Sequence, residues 1–265
     1  MQTTTAADQT DIVDSLPEPG DLRSIALLLD IDGTIIDIAS RPDDVEVPRG
    51  LCETLAALHV KTGGALALVS GRLISDTDRL FAPLRLPAIG GHGAEMRIGG
   101  ERASPRSADI DAALRHSVAA LMRDDPRIVI EDKGYSLAVH YRLAPEREHY
   151  VKADLAALLT RAGHRDLEML EGKAVVEIKP PAFTKGLAVR ELMKHHPFVG
   201  RGPVFVGDDH TDETVFAVLP ALGGVGYSVG RPIAGASGIF ESPREVRRWL
   251  AALAGRDGHD RSHAP

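Results

Sequence analysis

The sequence predicts an α/β protein in which a parallel sheet lies between helices and a smaller α+β unit interrupts it. Three observations lead there. Short, nearly continuous apolar runs recur at 24–32, 64–71 and 202–209, the pattern of strands buried on both faces. Segments of helical periodicity follow the first and the third, and the order strand, helix, strand builds parallel sheets. Between about 104 and 180 the rhythm changes to helix, strand, strand, repeated once.

The first twenty residues are polar and acidic, hold two prolines and read as a flexible leader with no signal-peptide pattern. "SIALLLDID", from Ser24 to Asp32, is the first strand. "PRGLCETLAALHV" at 48–60 then sets Leu51, Leu55 and Leu58 on one helical face, with Pro48 suited to the first turn. "GALALVSG" at 64–71 is the second strand.

In the middle stretch, 107–123 and 146–162 read as helices. "RIVIE" and "YSLAVHY" flank Asp132, Lys133 and Gly134, and "DLEML" and "KAVVEIK" flank Glu171 and Gly172. Such tight turns imply antiparallel hairpins. "GGERASPRS" and "KPPAFT" read as linkers. The expectation is therefore a discontinuous core, 21–103 and 181–265, holding an inserted unit over 104–180. Past it, 185–196 carries Ala188, Val189, Leu192 and Met193 on one face, with Thr184 as its cap. "GPVFVGDD" is the third core strand, 212–219 a short helix, and Val246, Trp249, Leu250 and Leu253 the stripe of the last helix. The tail from Gly255 reads as frayed.

Composition narrows the function classes. The chain has 265 residues, with 38 acidic groups against 31 basic ones and a formal charge of -7. That balance argues against a nucleic-acid partner but leaves room for a local basic pocket. No apolar run approaches a membrane span, so no membrane partner is expected. The single cysteine, Cys52, cannot form an internal disulfide, and a cytoplasmic setting is expected. "GGVGYSVG" lacks the dinucleotide fingerprint, and "GHDRSH" lacks zinc-ligand spacing.

Chemistry concentrates at strand ends. Asp30 closes the first strand and Asp32 follows two positions on, which a strand's period would put on one side. Alone, "DIDGT" could equally be a surface turn. "FVGDDHTDE" repeats the arrangement, with Asp208 and Asp209 closing a buried strand and Asp212 following. Two such clusters repel unless something neutralises them, and a Mg²⁺ ion with oxygen ligands would do so. Ser70 also ends a buried strand, and Lys185 begins a helix. Both could hold a phosphate oxygen, though each alone is more often structural.

Together "DIDGT", "SGR" at 70–72, Lys185 and "GDDHTDE" resemble the four ordered motifs of the haloacid-dehalogenase-like (HAD) phosphatases. "GHGAEMR" at 91–97, "EDKGYSLAVHYR" at 131–142 and "GKAVVEIKP" at 172–180 narrow the resemblance to the trehalose-6-phosphate phosphatase family, from about Ser24 to Leu250. Ile35 stands where leucine is usual, and His210 sits inside the fourth motif.

The resemblance implies a Rossmann-like HAD core with a cap domain of type C2B. It implies hydrolysis of trehalose 6-phosphate to trehalose and phosphate, the last step of trehalose biosynthesis. Asp30 would be the nucleophile forming an aspartyl-phosphate, and Asp32 the general acid and base. Ser70 and Lys185 would hold the transferring phosphoryl group, with loop contacts from Gly33 and Thr34. Mg²⁺ would be bound by the Asp30 and Asp208 carboxylates and the Asp32 carbonyl, supported by Asp209 and Asp212. Lys133, His140, Arg142, Glu177 and Lys179 of the cap would face the sugar, joined by Arg72, His92, Gly93 and Glu95 of the core. Without the resemblance, Lys133, His140 and Arg142 could be an ordinary solvated strand face. A phosphatase of another or a broader range of sugar phosphates and a non-catalytic sugar-phosphate sensor are the alternatives, and a monomer is the expected state.

Overall fold

The computed structural model describes residues 22–38, 45–99, 104–105, 110–164, 166–181 and 183–255. The expected leader, most of the first linker and the tail beyond Gly255 lie outside the described residues.

The chain runs β1 (Ile25–Leu29), α1 (Leu51–Lys61), β2 (Leu66–Val69), α2 (Ile74–Leu80), β3 (Ala88–Gly90), β4 (Glu95–Arg97) and β5 (Ser104–Pro105). It continues through α3 (Ala112–Leu121), β6 (Val129–Asp132), β7 (Leu137–His140), α4 (Glu148–Ala162), β8 (Glu168–Gly172) and β9 (Val175–Lys179). It closes with α5 (Lys185–Leu192), β10 (Gly202–Gly207), α6 (Glu213–Phe216), β11 (Val225–Val229), β12 (Gly238–Phe240) and α7 (Pro243–Leu253).

The larger sheet has the order β12-β11-β10-β1-β2-β3-β4-β5. Its pairings are parallel from β12 to β3, and β4 and β5 add antiparallel strands at one edge. Alternation along β1 explains the sandwich. Leu27 and Leu29 face one core with the α1 leucines and Val246 and Leu250 of α7. Ala26 and Leu28 face the other with Ala188, Val189 and Leu192 of α5. Strands that bury both faces need apolar residues at every position, which is why these runs do not alternate.

The second sheet is antiparallel, in the order β6-β7-β9-β8. Leu137, Val139, Val176 and Ile178 turn to one face, against Leu114 and Val118 of α3 and Val151 and Leu155 of α4. Cross-strand pairing of Ala138 with Glu177 and of Glu131 with Ala138 defines the opposite face. That face looks toward the larger sheet.

Several elements differ from the sequence reading. Pro48 precedes the first helix, whose cap is Gly50, and its carbonyl accepts from the Leu51 amide. The helix expected over 107–123 spans 112–121, with the Asp111 side chain accepting from the Ala113 amide. Thr184 caps α5 as expected, through the Leu187 amide, but the helix ends at Leu192. The strands β3, β4, β5 and β12 and the helix α2 escape periodicity because each is short. Residue 104, the expected start of the inserted unit, pairs with β4 in the larger sheet, and the smaller unit's first element is α3. Among the described residues no helix is long and apolar enough to cross a membrane.

Candidate active site

β1 lies between β10 and β2, so the residue that follows it emerges at the centre of the sheet's carboxyl edge, where open α/β sheets bind ligands. That residue is Asp30, whose amide donates to the Val206 carbonyl at 2.9 Å. The chain then turns through Gly33 at a φ of 82°, where a Cβ would overlap the Asp208 carboxylate. The turn returns Thr34 to Asp30, and its hydroxyl donates to Asp30 Oδ2 at 3.0 Å.

Lys185 enters from the first turn of α5. Its Nζ lies 2.8 Å from Asp30 Oδ1 and 2.8 Å from Asp212 Oδ1, with all three residues buried. The other Asp212 oxygen accepts from the backbone amides of Asp208 and Asp209, at 2.9 and 3.1 Å. Asp212 therefore folds the loop after β10 back on itself. Oxygens of Asp30, Asp208 and Asp212 lie within 4.8 Å of one another.

One ammonium faces four carboxylates here, and the imbalance appears in their acidities. Burial raises the Asp30 carboxyl well above its ordinary range despite the Lys185 charge. Burial, with Asp209 and Asp212 nearby, pushes Asp208 up to about 7. Burial would raise Asp209 too, but Lys185 and the Thr211 hydrogen bond outweigh it and hold that group at about 2. Burial opposes the charge on Lys185, yet Asp212 and Asp30 keep it protonated above the usual lysine range. The residues fit a divalent cation: the oxygens are hard donors, they converge, and they carry more negative charge than Lys185 neutralises.

A cavity of about 850 Å³ opens from this cluster toward the second sheet. Asp30, Asp32, Ser70, Arg72, His92, Lys185, Asp208 and Asp209 line its floor, and Lys133, His140, Arg142 and Glu177 line its roof. Glu177 joins the two. It accepts from His92 Nε2 at 2.9 Å, from Lys133 Nζ at 3.4 Å and from the Ser136 hydroxyl. Burial would raise its pKa, but the Lys133 and His92 charges and the hydrogen bonds hold it well below the usual carboxylate range. Lys133 also donates to the Gly71 carbonyl at 3.0 Å. Roof and floor are thus in contact in this structure.

Not every residue singled out in the sequence reaches the cavity. Gly33, Thr34 and Asp212 stand behind its wall. Gly93 packs beneath the start of α5, against the Thr184 carbonyl. Glu95 is spent on α2, its Oε2 accepting from the Ile74 amide at 2.7 Å. The Lys179 ammonium is buried against Glu168 at 2.6 Å and the Phe183 carbonyl. Asp32 lines the cavity, but both its oxygens accept from the Arg72 guanidinium, each at 2.7 Å.

Known proteins resemble this chain in sequence and in fold. The family profile described as trehalose-phosphatase matches residues 28–232. The chain belongs to the trehalose-phosphatase family. It is 42% identical to a probable trehalose-phosphate phosphatase of Sinorhizobium fredii over 88% of this chain and 89% of that one. It is 39% identical to the trehalose-6-phosphate phosphatase of Escherichia coli, over 86% of each chain. The C-terminal domain of the Candida albicans trehalose-6-phosphate phosphatase shares its fold, with a TM-score of 0.79 at 23% identity, covering 96% of this chain and 98% of that one.

Two residues of this trehalose-phosphatase's site, one in the cavity and one behind its wall, gained weight only from the structure. Glu131 lines the roof and meets His140 Nε2 at 3.0 Å. Its signal was present, since it alternates with Lys133 along the same stretch of chain. Asp212, expected to support the cation from outside, belongs to the convergent oxygen cluster itself.

Proposed function

We propose that this chain hydrolyses trehalose 6-phosphate to trehalose and inorganic phosphate, with Mg²⁺ as its cation. The observation that carries the reading is one cavity with a phosphoryl-transfer cluster at one end and a polar roof at the other. The elements α3 to β9 act as the cap, and those around them as the core.

In the first step an Asp30 oxygen attacks phosphorus while the bond from phosphorus to the sugar oxygen breaks. Asp32 delivers the proton that the departing sugar oxygen needs. In the second step Asp32 takes a proton from water as its oxygen attacks phosphorus, and Asp30 is released as carboxylate with inorganic phosphate. Asp30, Asp208 and the Asp32 carbonyl would hold the Mg²⁺, with Asp209 and Asp212 in support. Bound there, the cation supplies positive charge to the phosphoryl oxygens. Lys185 and Ser70 bind those oxygens, and Gly33 and Thr34 shape the loop beneath them. The Asp32–Arg72 pair implies an exchange on binding: Arg72 turns to the incoming phosphate and frees Asp32 for the sugar oxygen. Lys133, His140, Arg142, Glu177 and Glu131 read the sugar hydroxyls. Cap closure excludes water from the reacting groups. A cytoplasmic setting suits a chain with a single cysteine.

Phosphate release from a panel of sugar phosphates, with and without Mg²⁺, tests the reading. Trehalose 6-phosphate should be turned over with the highest kcat/KM, and removal of the cation should abolish activity. Comparable turnover of many sugar phosphates would establish the broader enzyme instead, and none at all the sensor.

A further inference from the structure

Each sheet face and the interior of the cap has its own apolar cluster. A separate small one joins Ala94 of the core, Phe183 of the segment between β9 and α5, and Tyr135 of the cap, with Leu73 packed against them. Tyr135 belongs to the turn between β6 and β7 and is only 4% exposed. Its ring reaches into the core, where Gly91 adopts a φ of 55° and a Cβ would overlap the phenol. No described protein group offers the phenol oxygen a hydrogen bond. A buried hydroxyl without a partner is unfavourable, so shape and not hydrogen bonding holds the ring there.

The turn carrying Tyr135 is rigidly mounted. The Lys133 amide donates to the Ser136 carbonyl at 3.0 Å, and the Gly134 amide donates to the Asp132 carboxylate at 2.8 Å. The Gly134 carbonyl accepts from the Ile110 amide at 2.7 Å and from Arg115 at 2.8 Å, which ties the turn to the start of α3. The backbone that carries the ring is therefore tied to the cap. The same turn bears Lys133 and Ser136, both of which donate to Glu177.

We propose that Tyr135, seated in the hollow left by Gly91, is a positioning residue that registers the cap on the core and so places Lys133 and Glu177 over the phosphoryl site. The sugar-reading part of this proposal rests on the function proposed above; the registration of cap on core does not.

The test uses the full chain with Tyr135→Ala, Tyr135→Phe, Gly91→Ala and the Tyr135→Ala/Gly91→Ala double variant. Steady-state kinetics on trehalose 6-phosphate and p-nitrophenyl phosphate are paired with amide hydrogen exchange over 132–137. Tyr135→Ala should lower kcat/KM for the sugar ester about tenfold or more and for the small ester about threefold or less, since misplacing positioning contacts is costly only where they are used. Exchange over 132–137 should quicken while α4 stays protected. Tyr135→Phe should behave as the parent. Gly91→Ala, which displaces the ring from the other side, should reproduce the sugar-selective loss even if Tyr135→Ala fails to fold. The double variant should be no worse than the poorer single one. Equal losses on both esters, multiplying losses in the double variant, or unchanged exchange in a folded Tyr135→Ala would each overturn the proposal. If the parent turns over no sugar phosphate, the proposed function fails, and exchange alone decides the joint.

Discussion

The carboxylate of Asp208 occupies the place that a side chain on Gly33 would fill. The loop after β1 and the loop after β10 can therefore approach only because residue 33 has no Cβ and takes a φ of 82°. Gly33→Ala should displace Asp208 from the oxygen cluster. The expected outcome is a loss of turnover of about a hundredfold or more with weaker Mg²⁺ binding, since sub-ångström misplacement is poorly tolerated at such sites. Mg²⁺ titration and kinetics of the folded variant check it, and parent-like values would exclude the steric argument.

Lys185 pairs with two buried carboxylates at once. Lys185→Met leaves Asp30 and Asp212 buried without their cation, and breaking such a pair costs about 3–5 kcal/mol. The loss should be smaller at acid pH, where the carboxylates take up protons. Urea unfolding of the cation-free protein at two pH values measures this, and a pH-independent loss would count against it.

Asp30→Asn should abolish hydrolysis while the protein stays folded, because the amide keeps the shape but cannot attack phosphorus. Mass spectrometry of a quenched reaction should place a phosphoryl group on Asp30 of the parent. Lasting activity in the variant, once deamidation is excluded, would remove the covalent route.

The acidity of Asp208 sets a pH dependence for the cation. Without Mg²⁺, burial and the neighbouring carboxylates push Asp208 to about 7, whereas an unfolded aspartate titrates near ~4. The native state then binds the proton more tightly, so the stability of the cation-free protein falls as pH rises between about 4 and about 7. Bound Mg²⁺ offsets that repulsion. The rise in Tm on adding Mg²⁺ should therefore be larger at about pH 8 than at about pH 6. Equal rises would refute a role for Asp208 ionisation.

Glu177 is the carboxylate on which Lys133, His92 and Ser136 converge. Glu177→Ala strips those donors of their partner, a loss of roughly 1.5–3 kcal/mol for hydrogen bonds to a charged group. It should lower kcat/KM for trehalose 6-phosphate by about tenfold to a hundredfold and spare p-nitrophenyl phosphate. Proportional losses on both esters would instead indicate damage to folding or closure.

The strand-end residues could be read without coordinates because their pattern is local. A run such as Ser24–Asp32 must be apolar throughout to be buried on both faces, so the carboxylates that end it stand out. The hairpins of the smaller unit were legible for a similar reason, with alternation broken by short glycine turns. The strand β3 was not, since three residues carry no period.

Local pattern thus determined which side chains stand at strand ends, Asp30, Ser70 and Asp208, while the resemblance to a known family singled out Lys133 and Glu177. Tertiary structure decided how they are committed. It set Asp212 against Lys185, closed Arg72 on Asp32, spent Glu95 on the Ile74 amide and Lys179 on Glu168, and seated Tyr135 at Gly91. The physical reason is range. Periodicity records which face a residue takes within its own element. The partner of a buried charge is chosen by elements far apart in the chain, whose approach depends on packing at positions such as Gly33 and Gly91.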